Sequence, residues 1–173
     1  LIADAIAEKL RGGFYTPKTI AEFVLRWGIN GSSDYDILEP SCGDGVFLEE
    51  LKEHNLKYKS ITAIELDEIE ALKADRILLT NKQIINSDFH TYCNNTQQRF
   101  DLIVGNPPYI RYQFFDRQQQ IEAADIFIKA GLTYSKLTNA WVSFVVGSSL
   151  LLKEKGGKIG FVLPAEILQG SFA

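Results

Sequence analysis

The sequence predicts a doubly wound α/β fold, in which helices cover both faces of a mostly parallel sheet. Five short apolar runs are separated mostly by stretches with helical spacing. Parallel neighbours need crossovers of a dozen or more residues, and helices supply them. Gly, Pro and acidic residues also gather just past the apolar runs. In sheets of this kind ligands bind there, outside the carboxyl ends of the strands.

The first helix opens at Thr16-Pro17, a capping residue followed by Pro at the first helical position. It runs through Ile20, Phe23, Val24 and Trp27, with Gly28 as its stop. The apolar run Tyr35 to Leu38 reads as the first strand and Phe47 to Leu51 as an amphipathic helix. A second strand, Ile61 to Glu65, precedes a helix capped by Asp67. Ile84-Ile85 and Leu102 to Val104 supply two further strands. Two helices, about 119–137 and 139–155, lead to a fifth strand, Lys158 to Leu163, behind Gly156-Gly157. No internal repeat or linker interrupts this pattern, and residues 1–173 are expected to form one domain.

Composition removes several classes. With 46% apolar and 23% charged residues, 13 Gly and 5 Pro, the chain is neither disordered nor collagen-like. The longest apolar run, Ala140 to Leu152, is broken by Ser143, Gly147, Ser148 and Ser149, and is too short to span a bilayer. Asp4 and Glu8 interrupt the start of the chain, which lacks a secretory pattern, so a cytoplasmic location without membrane association is expected. Cys42, Cys93, His54 and His90 have no zinc-site or disulfide spacing, and no metal is expected. A net charge of -4 argues against this segment alone gripping a phosphate backbone. The absence of Met suggests a piece of a longer product.

After the first strand stands Glu39-Pro40-Ser41-Cys42-Gly43-Asp44-Gly45, whose glycines let the backbone turn tightly and approach a ligand. Glu65 follows at the end of the second strand, where an acid accepts hydrogen bonds from both ribose hydroxyls and repels a phosphorylated ribose. Adenosine is the implied moiety. The loop lacks the three-glycine dinucleotide spacing and the Lys-Ser/Thr of a phosphate-cradling loop, so nicotinamide and nucleoside triphosphates are excluded. Asp88-Phe89, past the third strand, offers a carboxylate to the adenine amine and a ring to its face. Asp88 reads equally well locally as a helix cap, and its place at a third strand end favours the ligand.

The fourth strand ends in Asn106-Pro107-Pro108-Tyr109. Two prolines fix the backbone and push Asn106 towards extended geometry, so its side chain and the Pro107 carbonyl form a rigid acceptor pair without competing N–H donors. Such a pair suits a planar NH2 group whose lone pair is delocalised. Two acceptors draw the nitrogen towards tetrahedral geometry and localise that pair for attack on a methyl donor. Tyr109 is placed to stack on the amine-bearing ring.

The three strand ends resemble those of the class I S-adenosylmethionine-dependent methyltransferase (Rossmann-like) fold. With Gly12-Gly13-Phe14-Tyr15-Thr16-Pro17 ahead of the first strand, the chain resembles the gamma-class N6-adenine DNA methyltransferases of bacterial restriction-modification systems from about Gly12 to Gln169. The resemblance implies S-adenosylmethionine as cofactor, contacted by Tyr15, Thr16, Pro17, Glu39, Ser41, Cys42, Gly43, Gly45, Glu65, Leu66, Asp88, Phe89 and Phe144. It also implies catalytic roles for Asn106, Pro107, Pro108 and Tyr109, and methyl transfer to the N6 amine of an adenine flipped out of double-stranded DNA. A protein glutamine or an RNA base amine is the alternative substrate, and a degenerate subunit without chemistry a third possibility. Arg111, Tyr112, Gln113, Arg117 and Gln118 either meet phosphates and bases or form an exposed loop, while Lys153 to Lys158 read as a solvated helix end. Members of the family continue into an antiparallel hairpin and a target-recognition domain, so a truncated catalytic domain without that hairpin is expected. A cognate restriction endonuclease is a candidate partner.

Overall fold

The computed structural model describes residues 15–31, 33–111, 114–135 and 139–165. Gly12 to Phe14, Tyr112, Gln113 and Gln169 lie outside them. Five strands, β1 (Asp36–Glu39), β2 (Ser60–Glu65), β3 (Lys82–Asn86), β4 (Leu102–Gly105) and β5 (Lys158–Phe161), form one sheet in the order β3-β2-β1-β4-β5. Every pairing is parallel. The order reverses between β1 and β4, which makes the crevice beyond their carboxyl ends the expected ligand site.

Among the described residues, six helices cover the sheet: α1 (Lys18–Ile29), α2 (Val46–Glu53), α3 (Glu68–Asp75), α4 (Phe89–Asn95), α5 (Arg117–Lys129) and α6 (Ala140–Leu151). Alternating strand residues feed two cores. Ile37, Ile61, Ala63, Leu102 and Val104 pack with Leu25, Phe47, Leu51 and Ala74. Leu38, Ile64 and Ile103 pack on the other face with Phe89, Ile126, Phe144 and Leu151. Both faces are covered, which is why the strands read as unbroken apolar runs.

Several expectations need correction. Gly28 does not stop α1. The helix continues to Ile29 and is closed by Asn30, whose left-handed backbone (φ 45°) returns its N–H to the Arg26 carbonyl. Gly28 instead allows close approach, because a Cβ there would lie 2.6 Å from Leu102 Cδ1. The apolar spacing also marks the wrong face of α1. Ala21, Leu25, Gly28 and Ile29 are buried, while Phe23 is 70% and Trp27 50% exposed. Ala21 and Gly28 let the helix lie close to the sheet, Leu25 and Ile29 fill the core beneath it, and Phe23 is left outside.

The helix expected over 119–137 begins earlier and ends at Lys129. Its start is a capping box in which Asp116 accepts from the Gln119 N–H and Gln119 Oε1 accepts from the Asp116 N–H. The helix expected over 139–155 ends at Leu151. Helix α4 was not expected as an element, apart from the reading of Asp88 as its cap.

Lys153 and Lys158 are not a solvated helix end. Lys153 Nζ lies 3.0 Å from Asp36 Oδ2 and 2.7 Å from Asp101 Oδ2, joining the starts of β1 and β4. Lys158 donates to the Gly28 carbonyl at 3.0 Å and stands over the rings of Trp27 and Tyr35. A second polar cluster ties α1 to α2. Arg26 donates to Glu22 at 2.8 Å and contacts His54 Nδ1 at 3.2 Å, and His54 Nε2 lies 3.1 Å from Glu50. Ligand atoms of Glu22, Glu50 and His54 approach within 4.8 Å of one another, a grouping that sequence spacing did not reveal. Among the described residues, no helix is long and apolar enough to cross a membrane.

Candidate functional site

Because the strands are parallel and in register, their last residues come together at one edge of the sheet. Glu39 ends β1, Glu65 ends β2, Ser87-Asp88 follows β3, and Asn106 follows β4. A cleft of about 730 Å³ opens there, within the range typical of small-molecule sites. It brings together Tyr15, Thr16, Glu39, Ser41, Cys42, Gly43, Glu65, Leu66, Asp88, Phe89, Asn106, Pro108 and Phe144. Pro17, Gly45, Pro107 and Tyr109 do not line it. Pro17 is itself the N-cap of α1, its carbonyl accepting from the Ile20 and Ala21 N–H groups, so Thr16 is not the cap expected from the sequence and Pro17 is not the first helical residue.

The loop after β1 is held by its neighbours. Glu65 Oε2 accepts from the Gly43 N–H and Oε1 from the Asp67 N–H, both at 2.8 Å. The carboxylate expected at a ribose therefore also anchors the glycine loop, with lone pairs left over. Gly45 adopts φ +100°, and a Cβ there would sit 2.6 Å from Ile77 Cδ1 and 3.3 Å from Ala74, so its role is to fit the loop against α3. Ser41 Oγ donates to the Asn106 carbonyl at 3.3 Å, linking this loop to the tetrapeptide.

Glu39 is only 1% exposed and its Oε2 has no hydrogen-bond partner. Burial, with Glu65 and Asp44 adding their charges, pushes its carboxyl well above the usual range. Burial also raises Asp44 and Glu65. It pushes the Cys42 thiol up as well, which makes Cys42 an inert wall residue and not a nucleophile. Asp88 behaves oppositely: burial works upward, but hydrogen bonds from His90, Gln119 and Thr91 outweigh it and hold the carboxyl below its usual range. Six carboxylates, Glu39, Asp44, Glu65, Asp67, Glu70 and Asp88, line the cleft, and no Lys or Arg does so among the described residues. Such a surface favours a cationic ligand and repels phosphates.

The two readings of Asp88 are compatible. It caps α4, accepting from the His90 and Thr91 N–H groups, and it also faces the cleft. Phe89 and Phe144 stack with centroids 4.8 Å apart, and Leu66 and Ile69 are exposed apolar residues of the cleft. In the tetrapeptide, the Tyr109 hydroxyl donates to Asn106 Oδ1 and lies 2.7 Å from the Val162 carbonyl, and burial pushes it up to about 12. Arg111 forms an antiparallel bridge with Asn139, and Gln118 donates to Glu122.

Sequence reading missed His90, Gln119, Ile110, Phe114 and Phe115, all of which line the cleft. The Asp116-x-x-Gln119 pattern was a legible helix start. The contact of Gln119 with Asp88, 31 residues away, carries no local signal.

A parallel sheet in this order, with its cleft at the strand ends, is Rossmann-like. Its fold is that of the class I S-adenosylmethionine-dependent methyltransferases, as superposition with one from Listeria monocytogenes shows at a TM-score of 0.66 and 13% identity, covering 89% of this chain and 46% of that one. A type I restriction-modification system methyltransferase subunit from Streptococcus thermophilus superposes with a TM-score of 0.69 at 20% identity, covering 90% of this chain and 35% of that one. The chain belongs to the Eco57I restriction-modification methylase family, whose pattern it matches over residues 20–173. It is 33% identical over 153 residues to the type II methyltransferase M.HincII of Haemophilus influenzae, covering 88% of this chain and 28% of the relative. A tRNA1(Val) (adenine(37)-N6)-methyltransferase of Haemophilus influenzae is 29% identical over 136 residues, covering 76% of this chain and 54% of the relative. The chain thus spans just over a quarter of the length of M.HincII.

Proposed function

We propose that residues 1–173 form the cofactor-binding and catalytic domain of a restriction-modification methyltransferase that acts on the N6 amine of adenine in double-stranded DNA, with S-adenosylmethionine as methyl donor. The observation that carries this reading is the acidic cleft that runs from Glu65 to Asn106 with no Lys or Arg in its lining among the described residues. The donor is a cation, and its ribose carries no phosphate, so it suits a surface that would repel a dinucleotide or nucleoside triphosphate. Glu65 would hold the ribose hydroxyls, Asp88 the adenine amine, and Phe89, Leu66 and Ile69 the apolar faces of the ring. The unpartnered oxygen of Glu39 is a ready acceptor for a cationic ammonium group. When bound, S-adenosylmethionine supplies an electrophilic methyl on a positively charged sulfur.

The chain's own chemistry lies in the tetrapeptide. Asn106 Oδ1 accepts from the Tyr109 hydroxyl, and in the reaction Oδ1 and the Pro107 carbonyl would accept the two hydrogens of the substrate amine, since a carbonyl oxygen can accept two hydrogen bonds. This holds the nitrogen with its lone pair directed at the methyl. Pro108 keeps the segment rigid, and the Ser41 bond to the Asn106 carbonyl positions it against the cofactor loop. Base flipping is required, since a stacked adenine cannot bring N6 into the cleft. Sequence choice and most phosphate contacts would come from other parts of the protein, and a cognate restriction endonuclease would be its biological counterpart.

The test is transfer of labelled methyl groups to random-sequence duplex DNA, followed by nucleoside analysis. N6-methyladenine is the expected product, and Asn106→Ala is expected to lower kcat by about 100-fold or more while cofactor binding persists. Label in cytosine, or in transfer RNA and not DNA, would overturn the substrate assignment. The relative that acts on tRNA adenine makes the RNA arm informative.

A further inference from the structure

His90 is fully buried and takes no part in the chemistry above. Its backbone N–H and its ring Nδ1 both reach Asp88 Oδ1, at 2.8 and 3.1 Å. Nε2 lies 2.7 Å from Ser143 Oγ, which is also 2.7 Å from the Ala140 carbonyl in the first turn of α6. The ring meets Phe144 and Phe115 edge-on, with centroids at 5.1 and 5.3 Å. The other carboxylate oxygen, Asp88 Oδ2, is held by Gln119 Nε2 at 3.0 Å. Gln119 is in turn oriented by its capping-box bond to the Asp116 N–H.

A carboxylate offers about four lone-pair sites. Oδ1 takes donors from the His90 backbone, the His90 ring and the Thr91 backbone, while Oδ2 takes Gln119. The remaining acceptor capacity is therefore on Oδ2, in a residue that lines the cleft. The contacts to Asp88 come from α4 and α5, and α6 acts on it only through the His90 ring, which Ser143 holds from the other side.

We propose that His90 and Gln119 are positioning residues for the cofactor's purine: they fix Asp88 so that Oδ2 faces the exocyclic amine, and thereby set the preference for an amino-purine over an oxo-purine cofactor. This rests on the S-adenosylmethionine reading. An oxo-purine would place a carbonyl oxygen against a fixed carboxylate oxygen, leaving both acceptors without a donor, and sites built in this way reject such analogues strongly.

The experiment is calorimetric titration of S-adenosylhomocysteine and its hypoxanthine analogue into the protein and into His90→Phe, His90→Asn and Gln119→Glu. The wild type is expected to prefer the adenine ligand by about 100-fold. His90→Phe loses the Nδ1 donor, and the preference is expected to fall below about 10-fold. Gln119→Glu retains a side-chain acceptor for the Asp116 N–H but turns a donor into an acceptor at Oδ2, and should do the same without emptying a core position. His90→Asn, whose amide nitrogen stands where Nδ1 does, should restore most of the preference. Equal weakening of both ligands by all three variants, with the ratio unchanged, would mean that these residues only support the fold, and would overturn the proposal. A wild type that binds both ligands equally refutes it while leaving the cofactor reading intact. A wild type that binds neither refutes both.

Discussion

Lys153→Met tests the clip at the switch point. Lys153 Nζ sits between Asp36 Oδ2 and Asp101 Oδ2 at 3.0 and 2.7 Å, so the two carboxylate oxygens are less than about 6 Å apart. Removing the cation loses two ion pairs that offset the repulsion between the carboxylates, and pairs with this degree of solvent contact are worth about 0.2–1 kcal/mol each. The Lys153 side chain is 37% exposed, so solvent screens both pairs and keeps their sum at about 1–2 kcal/mol. An expected loss of about 1–2 kcal/mol corresponds to about 2–8 °C in Tm for a chain of this size. The pH dependence follows from Asp36. Burial pushes its carboxyl up, but Ser60, Lys153 and Lys59 outweigh this and hold it below the usual range. A depressed carboxyl contributes stability above its unfolded value, and that contribution is lost as pH falls through the folded value. The difference between variant and wild type should therefore be full at pH 7 and disappear below about pH 3.8. It should also shrink in 1 M salt. Urea denaturation from pH 7 to pH 3 measures this. A variant within about 0.3 kcal/mol of wild type at pH 7, or a deficit that persists unchanged at pH 3, refutes the argument.

Glu39→Gln should stabilise the fold at pH 8, where ionising the buried carboxyl carries a cost that the neutral amide avoids, while weakening cofactor binding. The raised carboxyl of Glu39 contributes most below about pH 4.5 and loses that contribution as pH climbs through its folded value. The gap between variant and wild type should accordingly close towards pH 4 in thermal melts, and a constant gap would show that the carboxyl does not ionise. Tyr109→Phe keeps a ring for stacking but removes the hydroxyl bonds to Asn106 and Val162. The expected result is a drop of about 10-fold in kcat with KM for DNA unchanged, and a change confined to KM would exclude an orienting role for the hydroxyl. Gly45→Ala forces a Cβ into a left-handed position against Ile77 and Ala74. It should destabilise by about 2–4 kcal/mol, read by denaturant midpoint, and full stability would show that the loop relaxes freely.

Much of the site was legible because its residues sit at strand ends, and strands that alternate with helices announce themselves. Glu39, Glu65, Asp88 and Asn106 are far apart in sequence, yet each follows an apolar run, and parallel pairing brings such positions together. The less legible features depend on packing. The capping box at Asp116 was readable, but the use of Gln119 to hold Asp88 was not. His90 offered no spacing signal, since its partners lie on its own helix cap and on α6. Phe23 and Trp27 of α1 suggested the wrong buried face, because Ala21 and Gly28 admit the closest approach to the sheet beside Leu25 and Ile29.

The order of apolar runs and turn residues determined by itself the alternation of strands and helices, the glycine loop and the Asn-Pro-Pro-Tyr segment, because these rest on backbone preferences a few residues long. Tertiary structure alone decided that Lys153 clips β1 to β4, that Glu65 anchors the loop it faces, and that Asp88 is held from two sides. Such contacts join groups 22 to 117 residues apart, and only the sheet's parallel register and the helices packed across it bring them within hydrogen-bond distance.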